Sequence, residues 1–172
     1  MKKSAVLFIT AIAVSSGAPL SFAADKTRQE AVAGRGADVM PFALQATTHI
    51  FTKTKTGGIQ QVVTKSAKDE AQIRLVREHL KEIAAQFSKG DFSGPAHIHG
   101  DDMPGLAELR KADPAAIKLQ YREIKSGGQI VYTAADPELV KALHRWFDAQ
   151  LSDHGHDAME GHDHSRMHGA HR

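Results

Sequence analysis

Two stretches of the sequence repeat one scheme of strand, turn, strand and helix, and that repetition limits the fold more than any other feature. In the first, Thr47-Thr48-His49-Ile50-Phe51-Thr52 and Ile59-Gln60-Gln61-Val62-Val63-Thr64 are rich in β-branched and aromatic residues, and Lys55-Thr56-Gly57-Gly58 between them suits a hairpin turn. Ser66 and Asp69 then open a helix on which Ile73, Val76, Leu80, Ile83 and Phe87 recur at helical spacing until Gly90 ends it. In the second, Ile117-Lys118-Leu119-Gln120-Tyr121 alternates, Lys125-Ser126-Gly127-Gly128 turns, and Ile130-Val131-Tyr132-Thr133 returns. Asp136 and Pro137 open a helix bearing Leu139, Val140, Leu143, Trp146, Phe147 and Leu151. Lys-Thr-Gly-Gly pairs with Lys-Ser-Gly-Gly, and Val-Val-Thr with Val-Tyr-Thr, in the same order. The expected fold is α+β: duplicated strand-strand-helix units giving a four-stranded antiparallel sheet covered on one face by two helices, with disordered ends.

The ends divide the chain further. Lys2 and Lys3 precede an apolar run from Ala5 to Val14, Gly17 and Pro19 break it, and Ser21-Phe22-Ala23 offers small residues for a signal peptidase. Residues 1–23 therefore read as a cleaved signal peptide, because the apolar run falls well short of the about 20 residues a bilayer span requires. Residues 24–45, rich in Ala and Gly without a sustained period, read as an exposed lead-in; residues 46–152 form the α+β domain, and 153–172 a disordered tail. The chain has no Cys, which excludes disulfides, thiolate metal sites and a cysteine lipid anchor. A periplasmic or secreted protein is expected.

Charge narrows the partners. The chain carries 22 basic and 20 acidic residues, and loss of Lys2 and Lys3 with the leader leaves 20 of each. A neutral chain without a Lys/Arg run gives no electrostatic reason to bind nucleic acid or an anionic membrane.

The tail carries the clearest chemistry. Of the chain's 11 histidines, residues 153–172 contain His154, His156, His162, His164, His168 and His171, with Met159 and Met167 among them. Neutral imidazole is the commonest protein ligand for transition metals, and thioether sulfur favours soft ions. Copper is the expected ion, with nickel, cobalt or zinc as the others such a set would take. A second candidate lies between the two units, in Gly94-Pro95-Ala96-His97-Ile98-His99-Gly100-Asp101-Asp102-Met103-Pro104. An extended backbone would turn His97 and His99 to one side, with Asp101 or Asp102 as a further ligand; alternatively Asp102 caps a short helix running through Arg110. His49, His79 and His144 lie on or beside apolar stripes and are expected to be hydrogen-bonded packing residues.

Thr-Thr-His-Ile-Phe, His-Ile-His-Gly-Asp-Asp-Met-Pro-Gly-Leu and Leu-His-Arg-Trp-Phe-Asp-Ala-Gln-Leu-Ser-Asp-His-Gly, spread over residues 46–152 and just beyond, resemble a group of small exported bacterial proteins that end in His-rich tails. Some members of that group are labelled aspartate carbamoyltransferase. The Ser-Thr-Arg-Thr-Arg phosphate loop and His-Pro motif of transcarbamoylases do not occur here. The resemblance implies no catalytic residue.

The sequence is thus read as that of a periplasmic metal-binding protein that buffers copper, confers resistance to it or delivers it through its tail. One alternative is an exported metal-dependent enzyme built on His97 and His99. The other is a protein-interaction module with an accessory tail.

Overall fold

Alternation of buried and exposed residues in the two hairpins supplies the inner face of the sheet. The computed structural model describes residues 20–162. Strands β1 (Thr47–Thr54) and β2 (Gly57–Thr64) are joined by Lys55-Thr56, and β3 (Ile117–Ile124) and β4 (Gly127–Ala134) by Lys125-Ser126. The hairpins meet through antiparallel pairing of β2 with β4, in a register running from Gly57 opposite Thr133 to Val63 opposite Gly127. The expected antiparallel sheet of four strands is present. A fifth strand, β5 (Ala158–Glu160), extends it by pairing parallel to β1, giving the order β3-β4-β2-β1-β5.

The two expected helices cover one face. Asp69 caps α2 (Glu70–Phe87) by accepting from the Gln72 N–H, and the helix buries Ile73, Val76, Leu80, Ala84 and Phe87. Asp136 caps α5 (Pro137–His154) by accepting from the Glu138 N–H, with Pro137 in the first turn where its missing donor is harmless. Trp146 and Phe147 on α5 meet Tyr132 of β4 edge-on, with ring centroids 6.0 and 5.7 Å away, and Phe87 of α2 stands edge-on to Trp146 at 5.9 Å.

Each helix also reaches across to the other unit's hairpin. Arg77 on α2 donates from Nε to the Gly127 carbonyl at 3.1 Å and from Nη2 to that of Ile124 at 2.9 Å. His144 on α5 places Nε2 2.8 Å from the Gly57 carbonyl and 3.1 Å from that of Thr54. These contacts satisfy carbonyls at equivalent ends of the two turns, and His144 is the hydrogen-bonded packing residue expected of it.

Four regions depart from the sequence reading. Residues 153–160, expected in a disordered tail, are the end of α5, a single 3-10 turn and β5. The segment 24–45 is not an exposed lead-in: it contributes most of α1 (Leu20–Val39), which buries Val32, and Met40 and Phe42 after it join the core. The segment around His97 is not extended but forms α3 (Ser93–His99). The short helix after it, α4 (Leu106–Lys111), starts at Gly105 with φ 80° rather than at an Asp102 cap, and a Cβ at Gly105 would lie 2.1 Å from the Ala142 carbonyl oxygen. The leader, except for residues 20–23 at the start of α1, lies outside the described residues. No helix among those residues is long and apolar enough to cross a membrane.

The β2–β4 seam predicts a sharp contrast between two glycines. A Cβ at Gly127 would sit 2.0 Å from the Val62 carbonyl oxygen, whereas one at Gly34 in α1 meets nothing within 4 Å. Chemical denaturation should show Gly127→Ala less stable by about 2–3 kcal/mol, and Gly34→Ala more stable by about 0.5–1 kcal/mol.

Candidate functional site

Three histidines from separate parts of the chain meet over the β1 end of the sheet. In β1 the inward positions include Thr47, His49 and Phe51, so His49 occupies a core position and is only 4% exposed. His99 ends α3 and is 3% exposed. His154 lies in the last turn of α5, with its ring between the other two. It stacks on His49 with centroids 4.6 Å apart and planes within 6°, and meets His99 edge-on at 5.2 Å.

Each imidazole has an acceptor on one nitrogen. His99 Nδ1 is 2.8 Å from Asp153 Oδ2, and His154 Nε2 is 3.1 Å from Gln150 Oε1 one helical turn back. His49 bonds the backbone of Asp157. His49 Nδ1 is buried without a hydrogen-bond partner, as is Trp146 Nε1. Both residues line a cavity of about 130 Å³ together with His79, His99, Gln150 and His154.

Asp153 is the anion beside this group, and α1 neutralises it. Arg28 donates from Nε to Oδ1 at 2.5 Å and from Nη2 to Oδ2 at 2.9 Å, a bidentate pair, and Nη2 also reaches the His99 carbonyl at 3.1 Å. Arg35 Nε donates to the Ile98 carbonyl at 2.6 Å. The two arginines therefore satisfy carbonyls at the end of α3 that have no partner within the helix. Burial alone would raise the Asp153 carboxyl, but hydrogen bonds from His99 and Arg28 hold it below the usual carboxylate range.

The imidazoles shift in the opposite sense. Burial pushes His49 down to about 4, against the opposing bond to the Asp157 backbone. Burial, with His49 and His99 close by, pushes His154 well below the ordinary imidazole range, and burial also lowers His79, whose ring stands edge-on to Phe42 at 5.5 Å. The interior beside the Asp153–Arg28 pair therefore disfavours the charged forms of His49, His79 and His154.

The residues singled out in the sequence are distributed differently. His97 is exposed on α3 while His99 is buried, because residues two apart on a helix point in nearly opposite directions. Asp101 pairs with Arg110, and Asp102 is exposed on the surface. The expected convergence of His97, His99 and these carboxylates is thus corrected by the helical backbone. From the tail, His154 turns inward, whereas His156 and His162 are exposed and Met159 is 53% exposed. His164, Met167, His168 and His171 lie outside the described residues. Among the described residues, no three His, Asp or Glu side chains are set as they stand to hold a metal ion.

Asp153, and the convergence of His154 with His49 in the interior, escaped the sequence reading. The signal that could have found them is a polar residue at an inward position of β1 and an Asp-His pair continuing the period of α5. No protein family, curated protein or solved structure matches the chain.

Two outcomes follow for stability. An unfolded imidazole takes up a proton near pH 6.5 but folded His49 only near 4. Folding stability is therefore fully present above about pH 6.5 and declines as pH falls towards 4, His49 alone accounting for about 3 kcal/mol. Melting curves in chelator should show a plateau above neutrality and a fall below it, and His49→Phe should make that fall shallower. Asp153→Leu, which leaves Arg28 and His99 without their acceptor, should cost about 2–3 kcal/mol in chemical denaturation, less than a fully buried pair because Arg28 is 44% exposed.

Proposed function

We propose that this is a metal-binding protein of the periplasm or cell exterior that captures a transition-metal ion, copper before nickel, cobalt or zinc, through the His/Met-rich segment following α5, and buffers it or passes it on. The observation that carries this reading is the treatment of Met159. It is the one large apolar side chain left exposed among the described residues. The pairing of Ile50 with Met159 fixes its backbone at the sheet edge, and the Gly161 N–H donates to the Phe51 carbonyl at 2.9 Å. A thioether is thereby held at the surface between exposed His156 and His162. A leader-like first segment supports a location outside the cytoplasm.

The soft thioether beside borderline imidazoles favours copper over the harder divalent ions. Capture weakens in acid, since each ligand imidazole must give up its proton to bind. The enzyme reading built on His97 and His99 loses its geometric basis, because the two rings face apart.

The structure sets where the test must cut. Removing everything after Ser152 would take away Asp153, His154 and β5, so the informative variant ends at Gly161. Titrating the leader-free chain and this variant with copper against a competing chelator should show most surface copper capacity lost with the last eleven residues, counted from His162. Equal capacity in the two proteins rejects the tail as the binding segment.

A further inference from the structure

We propose that His49, His99 and His154 form a second, interior site for one late first-row divalent ion, copper(II) or zinc(II), distinct from the surface segment. The hydrogen bonds decide which ring nitrogens keep a lone pair. An acceptor on one ring nitrogen draws the N–H to that side and leaves the lone pair on the other. Asp153 does this at His99 Nδ1 and Gln150 at His154 Nε2. The Asp157 backbone does it at His49, whose Nδ1 is left buried and unpartnered. The nitrogens with available lone pairs are then His99 Nε2, His154 Nδ1 and His49 Nδ1. Metal-ligating histidines are oriented in this way, by a carboxylate, amide or carbonyl on the far nitrogen.

A packing role explains less. Apolar rings would fill the same space without leaving a buried acceptor unsatisfied, which costs free energy. Three imidazoles with an open position form a ligand set used for divalent ions of borderline softness. The set holds no thiolate, and its nearest carboxylate is engaged by Arg28.

The arrangement also states what binding requires. An ion lies in the plane of each imidazole that holds it, and the parallel His49 and His154 rings share no such plane. One ring must turn about its Cβ–Cγ bond. The adjoining cavity of about 130 Å³ gives it room, several times the about 30 Å³ a water occupies in the liquid.

The chain's single tryptophan provides the readout. Trp146 lines the same cavity, so copper(II) bound there should quench its emission. The metal-free, leader-free protein is titrated with copper(II) while Trp146 emission is followed. The quenching should saturate at one equivalent in the variant ending at Gly161, reach the same extent in the intact chain once the tail is filled, and disappear in His49→Phe and in His99→Gln. Circular dichroism and a melting curve establish that each variant is folded. Absence of quenching in the intact chain overturns the proposal, as does quenching that survives both substitutions or is lost with the residues after Gly161. Should neither variant fold, cobalt(II) added to the protein ending at Gly161 decides: the strong visible absorption of a four-coordinate nitrogen site supports the proposal, and the weak spectrum of a solvated ion overturns it. Surface binding is to be lost with the tail and interior binding with His49 or His99, so the failure of one reading is distinguishable from that of the other.

Discussion

The close antiparallel contact between β2 and β4 is the constraint on which the rest of the molecule depends. Gly57 faces Thr133 and Gly127 faces Val63, two contacts related by the same twofold that relates the hairpins. At both, a side chain would run into the partner's backbone: a Cβ would fall 2.1 Å from the Tyr132 carbonyl oxygen at Gly57 and 2.0 Å from that of Val62 at Gly127. Only after this seam closes do two separate apolar faces become one. A hairpin alone in water is marginal, and four strands backed by helices are not. The crossed contacts of Arg77 and His144 then fix each helix to the hairpin of the other unit, so neither unit has its full set of partners alone.

Symmetry stops at the outer strands, and the chemistry lies where it stops. In the common register of the two hairpins, His49 of β1 corresponds to Leu119 of β3. One end of the sheet thus keeps an apolar residue where the other carries an imidazole. Among the described residues the β3 edge has no strand beyond it, while β1 is paired with β5 and roofed by the end of α5. Helices α1 and α3 meet over that same end, tied by Arg28 and Arg35. A duplicated scaffold with a single elaborated end gives the cavity its walls without disturbing the seam.

Much of the scaffold was legible because its signals are local. Period-two strands, helical apolar spacing, the Gly-Gly pairs and the Asp-Pro helix start each lie within a few residues of the structure they specify. The rest is decided over long range. Asp153 reads as the first residue of a polar tail until Arg28, 125 positions earlier, is brought to it. Residues 153–160 accordingly read as disordered in the sequence, whereas the end of α5 and β5 are ordered there. The alternation of His97-Ile98-His99 imitates a strand, and Gly94-Pro95 looks like a break. Yet Pro95 falls in the first turn of α3, where a proline is tolerated, and the helix that results separates the two imidazoles.

Arg28 explains why the region before the sheet belongs to the site. A buried imidazole such as His49 gives up its charge readily on burial, but the carboxylate that orients His99 cannot remain charged in an apolar interior without a counterion. Arg28 supplies that charge in bidentate geometry while also holding the last carbonyl of α3. One guanidinium therefore couples α1, α3 and the end of α5. A cut between Ala23 and Ala24, where the leader is expected to end, would shorten α1 yet leave Arg28 in the chain. A cut a turn or two later would remove the counterion, leaving Asp153 charged and poorly solvated, and the orientation of His99 would be lost with it.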